Sequence, residues 1–538
     1  MKTGAAGLAG VILLRDARGE MVTALDGEPF PELVEITIPQ LQAKMKSGEW
    51  TSRKITEMYL ERIKQIDPKT NAVLELNPDA LAIADQMDKE RKKGKVRSPL
   101  HGVPMLIKDN IDTADKMHTT AGSFALLDAP TPKQDAFVAA QLRKAGAVIV
   151  GKANLSEWSN FRSTGTRTRQ TSGWSGRGGQ TNNPYWLDQN PSGSSSGSGV
   201  SVSANLIAAA IGTETNGSIL SPAVTNGVVG LKPTVGLVSR SGIIPISHSQ
   251  DTAGPMTRTV ADAAIVLSAI AGSDKNDPAT ADADKRRAKD YSKFLEPDGL
   301  KGARLGLMTS PPQRNLEAWK AYWEPLFEKL RQAGATLVDV KLPDPYQSFG
   351  ADRTALMQFE FKANLNKYLA ARGSQYKTLA DVIKFNEEHK DKELQFFGQE
   401  LFTQSEARGD LTDKTYVDAV ARIQKQTRQD GIDALLIQNK LDALVSPFGQ
   451  LVGTAAIAGY PSIVVPLGLR EVPAAAASGN LPAAPASTQT TGMMFVGTAW
   501  TEPTLIKYAY AFEQRTKGRV TPQFIPKMPV QAAAKPSQ

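Results

Sequence analysis

Three short segments concentrate the residue types that nucleophilic chemistry needs. The first ends an apolar run: His101-Gly102-Val103-Pro104-Met105-Leu106-Ile107 leads straight into Lys108, Asp109 and Asn110. Most lysines lie at the surface, so one placed directly after a buried-strand pattern stands out. Burial strips water from an ammonium and lowers its pKa. A fall from about 10.4 to 7–8 corresponds to roughly 3–4 kcal/mol, which a large fold can tolerate. A neutral amine near pH 7 is a usable general base. Taken alone, the plainer reading of Lys108 is a strand-end lysine that reaches solvent beside Asp109. The second segment, Pro191-Ser192-Gly193-Ser194-Ser195-Ser196-Gly197-Ser198-Gly199, has a linker's composition. It runs into small residues that read as a helix over roughly 199–211, so its hydroxyls and amides gather at a helix N-terminus. The third, Gly212-Thr213-Glu214-Thr215-Asn216-Gly217-Ser218-Ile219, is a polar turn that presents successive backbone amides beside a single hydroxyl. That is the composition of an oxyanion hole.

Other motifs fail on context. Gly146 to Lys152 matches most of a phosphate-loop pattern, but Ala153 stands where a metal-binding hydroxyl is required and Ala147–Val150 reads as a strand. Gly193 to Gly197 matches a nucleophile elbow centred on Ser195, yet a polar loop precedes it where a strand is needed. There are four histidines, His101, His118, His248 and His389, and no cysteines, so thiol nucleophiles and disulfides are excluded. No two histidines sit at metal-ligand spacing, so neither a metal nor a cofactor is expected.

Elements must position these segments. Thr37-Ile38-Pro39-Gln40 has a helix-start signature. A second helix opens near Thr51, carries Ile55, Met58, Tyr59, Ile63 and Ile66 at helical spacing, and is expected to stop at Asp67-Pro68. Residues 79–93 read as a third helix. Strand 102–107, helix 136–145 and strand 147–150 then alternate, the pattern of an α/β sheet with both faces covered. Residues 171–199 form a long loop, a length that implies function inside a compact chain. Long charged helices follow over 280–440, and 441–470 returns to sheet-like runs such as Ile463-Val464-Val465-Pro466. The expected organisation is an N-terminal extension over 1–36, one domain over 37–520, a surface insertion over 471–491 and a disordered tail over 521–538.

Composition bounds the rest. The 538 residues are 41% hydrophobic and 22% charged, near globular averages, and 63 Lys and Arg against 55 Asp and Glu leave a net charge of only +8. That balance gives no case for nucleic acid. The apolar stretch Ala5–Leu14 is too short to span a bilayer, and Arg15-Asp16-Ala17-Arg18 offers no leader cleavage site. The chain is expected to be soluble, with the cytoplasm favoured and the periplasm or secretion left open.

Taken together, the three segments resemble the amidase signature family. The strand ending in Lys108-Asp109-Asn110, the loop Ser192–Ser198 and the turn Asn216-Gly217-Ser218 match its motifs, with its interval of 24 residues from Ser194 to Ser218. Gly151–Trp158, Gly230–Thr234, Asp251–Pro255 and Ala458–Ser462 also fit, so the resemblance covers roughly residues 37–520. It implies a large mixed twisted β-sheet covered by α-helices on both faces. It implies a catalytic set of Lys108, a cis-bonded Ser194 and a nucleophilic Ser218, with backbone N–H groups of Thr215, Asn216, Gly217 and Ser218 as the oxyanion hole. Gly193 and Ser195 would support the loop, and Asp109, Asn154, Glu157 and Asp251 would have structural roles. Ser192 and Ser196 replace family glycines; Asn216 stands where glycine is usual, and asparagine tolerates positive φ. Ser172–Thr181, Gly212–Thr215, Val238–Ser247 and Phe359–Lys362 are similar to the bacterial peptide amidase subgroup, which releases ammonia from C-terminal peptide amides through an acyl-enzyme. Alternatives in the family are hydrolysis of aryl acylamides, cyclic amides or carbamates, and an amidotransferase A-type subunit that works inside a complex. The expected partner is a small-molecule or peptide amide substrate, with no nucleic acid or membrane, on a monomer or homodimer.

Overall fold

The computed structural model describes residues 11–15, 21–25, 27–164, 172–312, 315–342, 350–474 and 486–528. Strands β1 (Val11–Arg15) and β2 (Met21–Leu25) pair with each other as an antiparallel hairpin. The first helix, α1 (Ile38–Ser47), opens on the expected box: Thr37 N–H donates to Gln40 Oε1 at 2.7 Å and Gln40 N–H to Thr37 Oγ1 at 3.4 Å. Helix α2 (Ser52–Thr70) starts where expected but runs through Pro68. The proline removes one N–H, while Asn71 N–H still closes the last turn on the Asp67 carbonyl at 2.6 Å. The Asp67 carboxylate then takes the next two amides, Ala72 and Val73, at 2.7 and 3.1 Å, so the helix ends at Asn71 and not at the proline.

An eleven-stranded mixed sheet forms the centre. Its strands are β3 (Val73–Leu76), β4 (Pro104–Lys108), β5 (Val148–Ala153), β8 (Ala209–Glu214), β9 (Val229–Lys232), β10 (Thr252–Thr257), β11 (Arg304–Leu307), β12 (Thr336–Asp339), β13 (Ala443–Pro447), β14 (Ser462–Val472) and β15 (Ser487–Val496), in the order β12-β11-β13-β15-β14-β9-β10-β8-β4-β5-β3. β6 (Trp174–Ser175) and β7 (Gly179–Gln180) form a small hairpin inside the 171–199 loop. Every residue of β4, β5, β8, β9 and β10 is buried, which requires cover on both pleat faces. Helices α3 (Ala80–Lys92), α4 (Phe137–Ala145), α5 (Ser196–Ser203), α6 (Leu220–Thr225), α7 (Val260–Ile270) and Glu502–Thr516 pack on it.

The helix expected over 199–211 is replaced by α5, ending at Ser203, and by the strand β8. Alanine favours a helix in isolation, but Ala209, Ala210 and Ile211 are held between β4 and β10 in the ladder, and tertiary pairing overrides propensity. The charged region 280–440 also contributes β11 and β12, which extend the sheet edge in parallel beyond β13. Its helices between residues 350 and 406 build a second core, where Phe361, Leu365 and Phe402 meet Trp158, Ile244 and Ile246 from the sheet's loops. Much of the N-terminal extension, residues 475–485 of the insertion and the tail beyond Met528 lie outside the described residues.

Candidate active site

Lys108 is the last residue of β4, and β5 and β8 run parallel on either side of it. Its side chain is fully buried. Nζ lies 2.7 Å from Ser194 Oγ, 2.9 Å from Thr213 Oγ1 and 3.4 Å from the Thr213 carbonyl. The solvent-reaching alternative is therefore wrong: the Asp109 carboxylate instead accepts from Thr120 Oγ1 at 2.5 Å and from the amides of Thr120 and Gly122. Burial pulls the Lys108 amine down to about 7, against the carboxylates of Asp251 and Glu214, which favour its charged form.

The serine loop is tied down from several sides. The Gly193–Ser194 peptide is cis, and Ser192 takes a left-handed φ of 61°, the conformation that glycine serves most readily. Ser196 Oγ donates to the Ser192 carbonyl at 2.6 Å, and Ser156 N–H donates to the Ser194 carbonyl at 3.0 Å. Ser195 Oγ donates to the Thr213 carbonyl at 3.1 Å and accepts from Thr213 N–H at 3.2 Å. Ser195 N–H also donates to the Ser218 carbonyl at 3.2 Å, so the loop and the turn meet backbone to backbone.

The turn itself is clamped at both ends. Beyond it, Glu214 Oε2 accepts the amides of Ile219 and Leu220 at 2.8 and 3.0 Å. Ahead of it, Thr215 Oγ1 donates to Asp251 Oδ1 at 2.5 Å, while Asp251 Oδ2 accepts Ile246 and Ser247 N–H at 2.8 Å each. Burial pushes the Asp251 carboxyl up to about 6. The turn's positive φ falls on Gly217, at 84°, and not on Asn216, so the asparagine bears no left-handed burden. None of the N–H groups of Thr215, Asn216, Gly217 and Ser218 donates to another described residue. Ser218 is half-buried, and its Oγ makes no hydrogen bond among the described residues.

A cavity of about 340 Å³ opens beside this arrangement. Lys108, Ser194 and Ser218 do not line it; their neighbours Asn110, Thr213 and Thr215 do, at one end. Ile243, Ile244 and Ile246 give it an apolar side. Helix Gly350–Arg372 presents Asn364, Lys367, Tyr368 and Ala371, one stripe at helical spacing, as another wall. Sequence reasoning assigned no role to Thr213 or to this helix and gave Asp251 only a structural one. No local signal marked Thr213, because the segment read as a turn and only the pairing of β8 beside β4 brings its hydroxyl to the amine. Nothing local in the helix marks it as a cavity wall. Lys152, the lysine of the rejected phosphate-loop pattern, is buried in β5 and donates to the Ile111 carbonyl and to Thr119 Oγ1. Among the described residues no three His, Asp or Glu side chains stand close enough to hold a metal ion. No described helix is long and apolar enough to cross a membrane.

The amidase family model matches residues 54–506, most of the chain. The chain belongs to the amidase family. It is 43% identical over 501 residues to a protein of Arabidopsis thaliana named "Probable amidase", covering 91% of this chain and 92% of that one. Native peptide amidase from Stenotrophomonas maltophilia superposes with a TM-score of 0.84 at 47% identity, over 92% of this chain and 100% of that chain. A glutamyl-tRNA(Gln) amidotransferase subunit of Thermoanaerobacter pseudethanolicus is 31% identical over 529 residues, covering 92% of this chain and 99% of that protein. This amidase is thus a hydrolase of amide carbon–nitrogen bonds on the amidase signature fold.

Proposed function

We propose that this amidase releases ammonia from C-terminal peptide amides through an acyl-enzyme formed on Ser218. Neutral Lys108 takes the Ser194 hydroxyl proton while Ser194 takes that of Ser218, and Ser218 Oγ bonds to the amide carbonyl carbon. The oxyanion is met by the N–H groups of the Thr215–Ser218 turn; one such donor is typically worth about 2.7–4 kcal/mol of barrier. The relay then reverses: Ser194 hands a proton to the leaving nitrogen, the carbon–nitrogen bond breaks and ammonia departs. A water molecule, deprotonated through the same pair, attacks the ester, and the acid leaves with Ser218 restored.

The observation that carries this reading is the buried Lys108 amine, 2.7 Å from Ser194 Oγ and drawn down to about 7. The likeness to a peptide amidase at 47% identity supports the substrate class. The test is ammonia release by the purified chain from an amidated dipeptide, set beside an anilide, a cyclic amide and a carbamate. The dipeptide amide should be turned over fastest, and Ser218→Ala should abolish release. An anilide preferred to the dipeptide amide would overturn the substrate reading. A second reading, an amidotransferase component working in a complex, is supported by the 31% identity to such a protein. It requires that the isolated chain be idle on peptide amides.

A further inference from the structure

Asn110 is 2% exposed and lines the same end of the cavity as Thr213 and Thr215. Its Nδ2 donates to Thr213 Oγ1 at 3.0 Å and, longer, to Ser159 Oγ at 3.4 Å. Both acceptors line the cavity too. Oδ1 has no partner among the described residues. Leaving a buried acceptor unpaired costs about 1–3 kcal/mol, so such an atom beside the chemistry is a site for a donor brought by the substrate.

Which donor follows from the size and placement of the cavity. Ammonia needs no space of 340 Å³, so the cavity takes the acyl part of the substrate. In an acylated amino-acid amide, the donor nearest the attacked carbonyl is the N–H on the adjoining α-carbon. A simple aliphatic amide has none there. We propose that Asn110 Oδ1 accepts this last peptide N–H, so that the enzyme selects its substrates by a backbone group rather than by a side chain. The apolar side formed by Ile243, Ile244 and Ile246 then meets the side chain of the same residue. This inference rests on the proposed function, since it takes the cavity as the place of the peptide's acyl chain.

The test is a matched pair of substrates, N-acetyl-leucinamide and its depsi analogue, in which that N–H is replaced by oxygen. Ammonia release gives kcat/KM for each, with wild type and with Asn110→Ala. Wild type should favour the amide by about tenfold or more, because a buried polar group left unpaired is what rejects an analogue lacking its partner. Asn110→Ala should collapse that preference, lowering the amide's value to near that of the analogue. Equal wild-type values for the two substrates would overturn the inference while leaving the proposed function standing, and that measurement does not depend on the variant folding. An equal loss on both substrates in Asn110→Ala would also overturn it, reducing Asn110 to a support for Thr213 and Lys108. Wild type that releases ammonia from neither compound, yet cleaves an anilide, would sink the proposed function itself.

Discussion

At Lys108 one amine is asked to be buried, hydrogen-bonded and neutral, and the pH dependence follows from that. With the amine at about 7, the active neutral form is lost below that value. The rate of ammonia release should therefore fall about tenfold per pH unit on the acid side of 7 and level off above it, as for any single required base. Lys108→Ala should remove this limb and lower the plateau by roughly 10²–10⁴-fold, the usual range for general-base catalysis. Asp251 works in two directions. Its charge favours the ammonium form of Lys108, and its carboxylate holds Thr215 at the head of the Thr215–Ser218 turn. Asp251→Asn should shift the acid limb to lower pH and reduce the plateau by at least about tenfold, short of the 10²–10³ typical when an oxyanion donor is lost outright. A limb that stays in place would show that Asp251 does not act on the amine. Lys108 was legible because lysine is out of character after Met105-Leu106-Ile107. Thr213 was not, since a threonine in a strand is ordinary and only the fold brings it to Nζ.

Among the elements, glycines decide how closely the serine loop can approach the sheet. A Cβ on Gly197 would collide with the carbonyl of Ala72 and with the backbone of Asn154, none of which can swing away. Gly197 N–H also donates to the Asn154 carbonyl at 2.9 Å, so α5 begins pressed against that segment. Gly197→Ala should push the start of α5, and Ser194 with it, off the amine, with activity lost by about tenfold or more through misplacement alone. Circular dichroism and ammonia release on the same preparation would separate displacement from unfolding. Elements with their own start signals were readable: Thr37 and Gln40 cap α1 as the spacing predicts. The alanine-rich run that became β8 was not, because its strand identity comes from β4 and β10 on either side and not from its own side chains.

At the scale of the molecule, the core around the sheet and the core beside helix Gly350–Arg372 need not yield together. The larger one fills the space around the sheet, and the smaller joins helix Gly350–Arg372 and its neighbours to the loops bearing Trp158 and Ile244. Phe402 is fully buried there, with its ring 5.2 Å from Phe361 and 5.8 Å from Trp158. Phe402→Ala should cost about 3–5 kcal/mol, as expected for a large cavity in an apolar core. Hydrogen exchange should then rise first over residues 350–427, with β4 and β8 still protected. Uniformly raised exchange would mean that the two cores melt as one. A sheet covered on both faces was foreseeable from alternating strand and helix patterns, and its mixed pairing only from the family resemblance, while the edge strands β11 and β12 were hidden in a charged, helix-rich stretch. The cavity draws part of its lining from residues near 110 and 213 and one wall from residues 364–371. The walls that would meet a substrate are thus written on several lengths of polypeptide, and editing helix Gly350–Arg372 alone would recast one of them while Asn110 and the three isoleucines stay as they are.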